Sequence, residues 1–180
     1  MIKKLNNFNG LNVTFNTTED CNLACKYCYE INKKKKTLDL NSEKKFIDLL
    51  LTDQDPIGVT GTEEEWMLTN GIILDFIGGD ALMNVELVEE ILKYFQKQSW
   101  KLNHRWKNNW RASISTNGTL FDRPNVKNFM NKYGKNLHIG VSIDGCPEIH
   151  DKNRVFVDGR GSMDEIKKQW SWYTDWCLEN

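Results

Sequence analysis

No stretch of this 180-residue chain is apolar for long enough to span a membrane, and the opening Met1-Ile2-Lys3-Lys4-Leu5-Asn6-Asn7 leads into no hydrophobic run of signal-peptide length. These absences predict a cytoplasmic protein with no membrane partner. Charge of one sign is also lacking: 24 Lys and Arg face 25 Asp and Glu, a net charge of −1, so no global field pulls the chain toward nucleic acid. Cysteine is scarce, five in all, and three of the five sit within eight residues. That distribution argues against a secreted disulfide framework and for a reducing compartment that preserves thiolates. A chain of this length buries one ordinary core, so residues 1–180 are expected to form a single domain.

What the sequence does have is Cys21, Cys25 and Cys28 in the string CNLACKYCYE. A closed structural zinc site wants four ligands, whereas an iron–sulfur cluster held by three thiolates leaves one iron open for a substrate or cofactor. Two other readings stand beside this one. At helical spacing the three positions share a face, as a small-residue packing stripe would, although Asp20, Asn22, Lys26 and Glu30 build no apolar core around it. A zinc site completed by His104, His138, His150, Cys146 or Cys177 would also use them.

Periodicity supplies the framework. Leu11, Val13 and Phe15 alternate with polar residues as in a half-buried first strand. Lys33 to Lys36 read as a solvated turn, and Asn41-Ser42 as the N-cap of a helix carrying Phe46, Leu49 and Leu50. The stretch from Thr52 to Gly71 reads as a long surface excursion. Residues 72–77 are almost continuously apolar, as in a parallel strand buried on both faces, and a helix with Val85, Val88, Leu92 and Phe95 on one stripe follows. Further strands are predicted over 111–115 and 137–142, with helices marked by Val126, Phe129, Met130 and Tyr133, and by Ile166, Trp170, Tyr173 and Cys177. Four strand–helix alternations predict an α/β fold with a parallel sheet and crossover helices. Trp100, His104, Arg105, Trp106, Trp110 and Arg111 interleave rings with positive charge. Such a run can stack nucleobases or grip a peptide, but it reads more simply as a helix-to-strand connection whose tryptophans pack under long basic side chains.

In parallel sheets and barrels, ligands gather beyond the carboxyl ends of the strands. Four segments fall there: the cysteine loop, Gly78-Gly79-Asp80, Ser115-Thr116-Asn117-Gly118, and Ser142-Ile143-Asp144-Gly145. CxxxCxxC with Tyr27 before its last cysteine, followed in order by these three segments, resembles the radical S-adenosylmethionine (radical SAM) superfamily. The run from Ser142 to Arg154 is most similar to the branch of anaerobic sulfatase-maturating and SPASM peptide-modifying enzymes. The resemblance implies a partial (βα)-barrel of the radical SAM type, about four units where the superfamily has about six. It implies an incomplete core domain without the C-terminal auxiliary-cluster domain of that branch. Cys21, Cys25 and Cys28 would hold a [4Fe-4S] cluster whose open iron chelates S-adenosylmethionine, giving a 5′-deoxyadenosyl radical for hydrogen abstraction from a peptide or protein.

By the same resemblance, the backbone of Gly78 and Gly79 and the carboxylate of Asp80 would receive the methionine ammonium group, Asp80-Ala81 standing where the family pattern usually has Glu-Pro. Ser115 and Asn117 would meet the ribose or methionine end. Ser142, Asp144 and Arg154 belong to the last matched stretch, with Arg154 paired to the cofactor carboxylate, and Tyr27 lies by the adenine. An electron donor such as a flavodoxin or ferredoxin is implied. A fourth strand with a bare edge further predicts a second chain or self-association to complete the barrel. The alternatives are a truncated cluster-binding module without turnover and a zinc-binding interaction domain.

Overall fold

The computed structural model describes residues 10–30, 33–52 and 62–180. Four strands, β1 (Gly10–Thr18), β2 (Gly71–Gly78), β3 (Trp110–Thr116) and β4 (Leu137–Val141), lie side by side in sequence order, and every pair is parallel. Parallel neighbours cannot be joined by hairpins, so each connection crosses over and carries helix. The helices are α1 (Leu40–Leu50), α2 (Glu63–Leu68), α3 (Val85–Lys101), α4 (Pro124–Tyr133), α5 (Pro147–Asn153) and α6 (Met163–Glu179). Among the described residues the sheet does not close on itself. The fold is α/β, a partial (βα)-barrel of four units.

The core lies between the sheet and its helices. Phe15, Leu74, Phe76 and Ile114 on the strands pack against Ile47, Val88, Leu92, Phe95 and Met130 on α1, α3 and α4. Each such side chain contributes roughly 1.5–3 kcal/mol by leaving water. The other face of the sheet is open, so β2 differs from a strand buried on both sides: Ile72, Leu74 and Phe76 are fully buried, while Ile73, Asp75 and Ile77 are only half-buried. The apolar run was long enough for two covered faces, yet among the described residues helices cover one.

Three local differences have physical causes. Helix α1 is capped by Asp39, not at Asn41-Ser42, because the Asp39 carboxylate accepts from Ser42 N–H at 2.9 Å and from its hydroxyl at 2.8 Å. The excursion after Thr52 contains α2, whose cap Thr62 accepts from Glu65 N–H and whose Trp66 is fully buried; residues 53–61 lie outside the described residues. On α6 the buried side chains are Met163, Ile166 and Trp176, while Cys177 faces out and Trp170 is largely exposed. The larger apolar surface of Trp176 takes the inward position. The basic and aromatic run of 100–111 is packed at Trp106 and Trp110, whereas Trp100 stays exposed. The Arg105 guanidinium lies 5.6 and 4.9 Å from the ring centres of Trp66 and Trp106, and Trp106 and Trp110 are buried.

Strand β4 is an edge strand. Ser142 N–H donates to Thr116 O on β3, and strand alternation then turns the backbone groups of Ile139 toward the open side. There the Tyr173 hydroxyl of α6 donates to Ile139 O at 2.8 Å.

Candidate cofactor site at the strand ends

Beyond the carboxyl ends of the four strands lies a cavity of about 430 Å³. Cys21, Cys25 and Cys28 form one wall, Ile77, Gly78 and Gly79 a second, Ser115 to Asn117 a third, and Ser142 with Arg154 the fourth. The cysteine loop is anchored by pairing across to the end of α5 and the segment after it. Ala24 N–H donates to Val155 O at 2.7 Å, Lys26 N–H donates to Asn153 O at 2.9 Å, and Leu23 bridges Phe156 in antiparallel fashion. A turn closed by Cys28 N–H on Cys25 O brings the last two cysteines round.

The two glycines seat this loop against β2. Gly79 N–H donates to Thr18 O at 2.7 Å and Asp80 N–H to Asp20 O at 3.0 Å, one residue before Cys21. A Cβ on Gly79 would stand 2.2 Å from Asp20 O, and one on Gly78 2.2 Å from Thr18 O. Gly78 also has φ +138°, a region that favours glycine. Backbone approaches backbone here, which no other residue permits.

The residues predicted for the site divide into two sets. Tyr27, Gly78, Gly79, Ser115, Asn117, Ser142 and Arg154 line the cavity with the three cysteines, whereas Asp80 and Asp144 do not. Asp80 is buried beneath it. Its carboxylate accepts from Thr116 Oγ1 at 2.8 and 3.1 Å, from Asn117 N–H at 2.8 Å and from Leu82 N–H at 3.0 Å. Burial raises its pKa, and these donors only partly pull it back. It ties the turn after β2 to the end of β3.

Asp144 stands behind Arg154. It accepts from Arg154 Nε at 2.8 Å and from the Tyr27 hydroxyl at 2.8 and 2.6 Å, while the Arg154 guanidinium lies 5.4 Å from the centre of the Tyr27 ring. Burial pushes the Asp144 pKa up, but the Tyr27 and Arg154 hydrogen bonds outweigh it and the net shift is downward. Tyr27, desolvated and donating to a carboxylate, is pushed up to about 12 and stays protonated.

Further groups that no motif marks complete the site. Lys33, read as part of a solvated run, reaches into the cavity wall and donates its ammonium to Leu23 O. Desolvation raises the pKa of Cys21 and Cys25, and the charge of Lys33 opposes that rise at both, with Arg154 adding to it at Cys25. The Tyr29 hydroxyl donates to Gly78 O at 3.1 Å. His150 is fully buried; its Nδ1 accepts from Asp144 N–H and its Nε2 meets Ser162 Oγ at 2.9 Å, which in turn donates to Arg154 O. These groups join positions far apart in sequence, and only the Lys33 charge carried any local signal.

Among the described residues, no three His, Cys, Asp or Glu side chains converge as ligands of a single metal ion. The three thiols line one cavity. That donor set suits an iron–sulfur cluster with one open iron.

Fold and site together define a class of protein: a parallel partial barrel that presents three thiols to a cavity at its strand ends. A model of the Radical SAM superfamily matches residues 15–168, and the chain belongs to that superfamily. It is 33% identical over 152 residues to an uncharacterized protein of Methanocaldococcus jannaschii, covering 83% of this chain and 44% of that protein. With the cysteine-type anaerobic sulfatase-maturating enzyme of Clostridium novyi it shares 29% identity over 152 residues, 83% of this chain and 36% of the enzyme. The solved structure of native anSMEcpe with bound AdoMet matches with a TM-score of 0.66 at 22% identity, over 93% of this chain and 41% of that one. The chain therefore spans less than half the length of these relatives.

Proposed function

We propose that this chain is the cofactor-binding part of a radical SAM enzyme that abstracts hydrogen from a peptide or protein side chain. The observation that carries the proposal is the common cavity: three thiols, a glycine-bounded strand end and a tethered arginine face one another at the carboxyl ends of four parallel strands. Cys21, Cys25 and Cys28 would hold a [4Fe-4S] cluster, and S-adenosylmethionine would fill the remaining space. When bound, the pair supplies reductive cleavage of the sulfonium and the radical that takes the substrate hydrogen.

The chain's own residues bind and orient. Arg154 suits the cofactor carboxylate, because Asp144 fixes its Nε and the rest of the fork remains at the cavity wall. Carbonyls near Gly78 and Gly79 suit the ammonium group, and Ser115 and Ser142 offer hydroxyls to the polar remainder. Asp80 acts from below by holding the β2 and β3 ends together. A peptide or protein substrate is supported by the relative named as a sulfatase-maturating enzyme. A low-potential one-electron protein such as a flavodoxin or ferredoxin would serve as the donor.

The test is anaerobic reconstitution with iron and sulfide, followed by metal analysis, a visible spectrum and product analysis with S-adenosylmethionine and dithionite. About four irons per chain and release of 5′-deoxyadenosine with methionine are expected. Stoichiometric zinc with no iron would overturn the reading.

A further inference from the structure

At the cavity wall, Asn117 is held in a closed ring of polar side chains. Its Oδ1 accepts from Thr119 N–H at 2.9 Å and from Thr119 Oγ1 at 2.6 Å. Thr119 Oγ1 in turn accepts from Asn22 Nδ2 at 2.8 Å, and Asn22 Oδ1 accepts from Asn117 Nδ2 at 2.9 Å. The ring assigns the amide without ambiguity. Oδ1 must face the backbone N–H of Thr119, so Nδ2 must face the other way, toward Asn22 and Cys21. Its distance to Cys21 Sγ is 3.7 Å.

An amide nitrogen has two hydrogens, and both are now placed: one on Asn22 Oδ1, the other toward the Cys21 sulfur. Both acceptor positions of Oδ1 are filled by Thr119. Asn117 is itself 6% exposed and Thr119 4%, with Asn22 half-buried, so competing water has little access to the Asn117 amide. The side chain therefore has no donor left for a cofactor hydroxyl, although it lines the cavity. Cys21 also receives Leu23 N–H at 3.4 Å. Among the described residues it is the only one of the three cysteines given a side-chain N–H to sulfur hydrogen bond.

We propose that Asn117 is a positioning residue that donates to the Cys21 sulfur and raises the reduction potential of the cluster. This deepens the reading that these thiols hold a [4Fe-4S] cluster and rests on it. On reduction the cluster takes one electron from a low-potential donor and passes from its 2+ to its 1+ state. No proton moves; the added negative charge spreads over iron and sulfur. A buried N–H aimed at one of those sulfurs stabilises the more negative state more strongly, so the potential rises. Asn22 and Thr119 act one step further out by fixing which way the amide points.

The experiment is a mediated dithionite titration of the cluster-loaded full chain, without S-adenosylmethionine, followed by electron paramagnetic resonance of the reduced cluster. Asn117→Leu keeps the shape and removes the donor. At a fixed potential its ratio of reduced to oxidised cluster should fall about tenfold, a shift of 59 mV to more negative potential for one electron. Should that variant fail to fold, Asn117→Ala tests the same atom, because water can enter to satisfy the freed Thr119 and Asn22 groups; a shift of the same sign and smaller size is expected. Equal potentials for the parent and whichever variant carries a cluster would overturn the inference while leaving the proposed function intact. A parent chain that takes up no cluster would overturn the proposed function itself.

Discussion

Replacing Asp80 tests whether its carboxylate is a structural tie. Two effects oppose each other in Asp80→Ala. The carboxylate is fully buried with no ion-pair partner in contact among the described residues, so its removal relieves a desolvation cost, the same cost that raises its pKa. Against that, the backbone N–H groups of Leu82 and Asn117 and the hydroxyl of Thr116 all point at it and stay buried when it is gone. The hydroxyl can rotate to another acceptor; the two backbone groups cannot. An orphaned buried donor costs about 1–3 kcal/mol, so the pair amounts to roughly 2–6 kcal/mol, and a net loss of stability is expected. Asp80→Asn keeps one acceptor oxygen and should cost less, about 1–3 kcal/mol. Urea unfolding followed by the fluorescence of the 7 tryptophans reads this as a fall in midpoint at constant slope. An Asp80→Ala variant within about 0.5 kcal/mol of the parent, the range of ordinary surface changes, would refute the reasoning.

Gly79→Ala places a methyl group against Asp20 O and should destabilise the chain by about 1–3 kcal/mol or more while displacing the cysteine loop; an unchanged melting temperature and unchanged iron uptake would contradict this. Cys25→Ala leaves two thiols on the wall and should abolish iron uptake, read from iron content and the loss of the brown colour after reconstitution. His150 carries a pH dependence: burial first and the Arg154 charge second lower its pKa, so the folded state prefers the neutral ring. Its share of stability is complete above the unfolded histidine value of about 6.5 and is lost as pH falls below it toward the depressed folded value. His150→Asn should remove that part of the acid-side fall, measured by urea unfolding from pH 8 to pH 5.

Elements whose partners are near in sequence were legible. The alternation of Leu11, Val13 and Phe15 and the 3.6-residue stripe of α3 are local properties, and β1 and α3 lie where these patterns put them. Helix α2 was hidden by composition. Thr62 with Glu65 three residues on has the spacing of a capping box, but it sits in a stretch rich in Asp, Glu, Gly and Thr. For the site, motif order brought out the cavity-lining residues but not their division of labour. Asp80 looks the same in sequence whether it faces a ligand or Thr116, 36 residues away. Lys33 was indistinguishable from its three lysine neighbours until the fold brought it to Leu23 O.

The hydroxyl of Tyr173 on Ile139 O gives the outer margin of the sheet a tenant. A fifth strand laid alongside β4, whether from a longer polypeptide or another molecule, would meet that phenol where its own ladder seeks the Ile139 carbonyl. Lateral growth of this sheet thus brings an incoming N–H beside the tyrosine hydroxyl at one carbonyl, either sharing its two lone pairs or displacing the phenol.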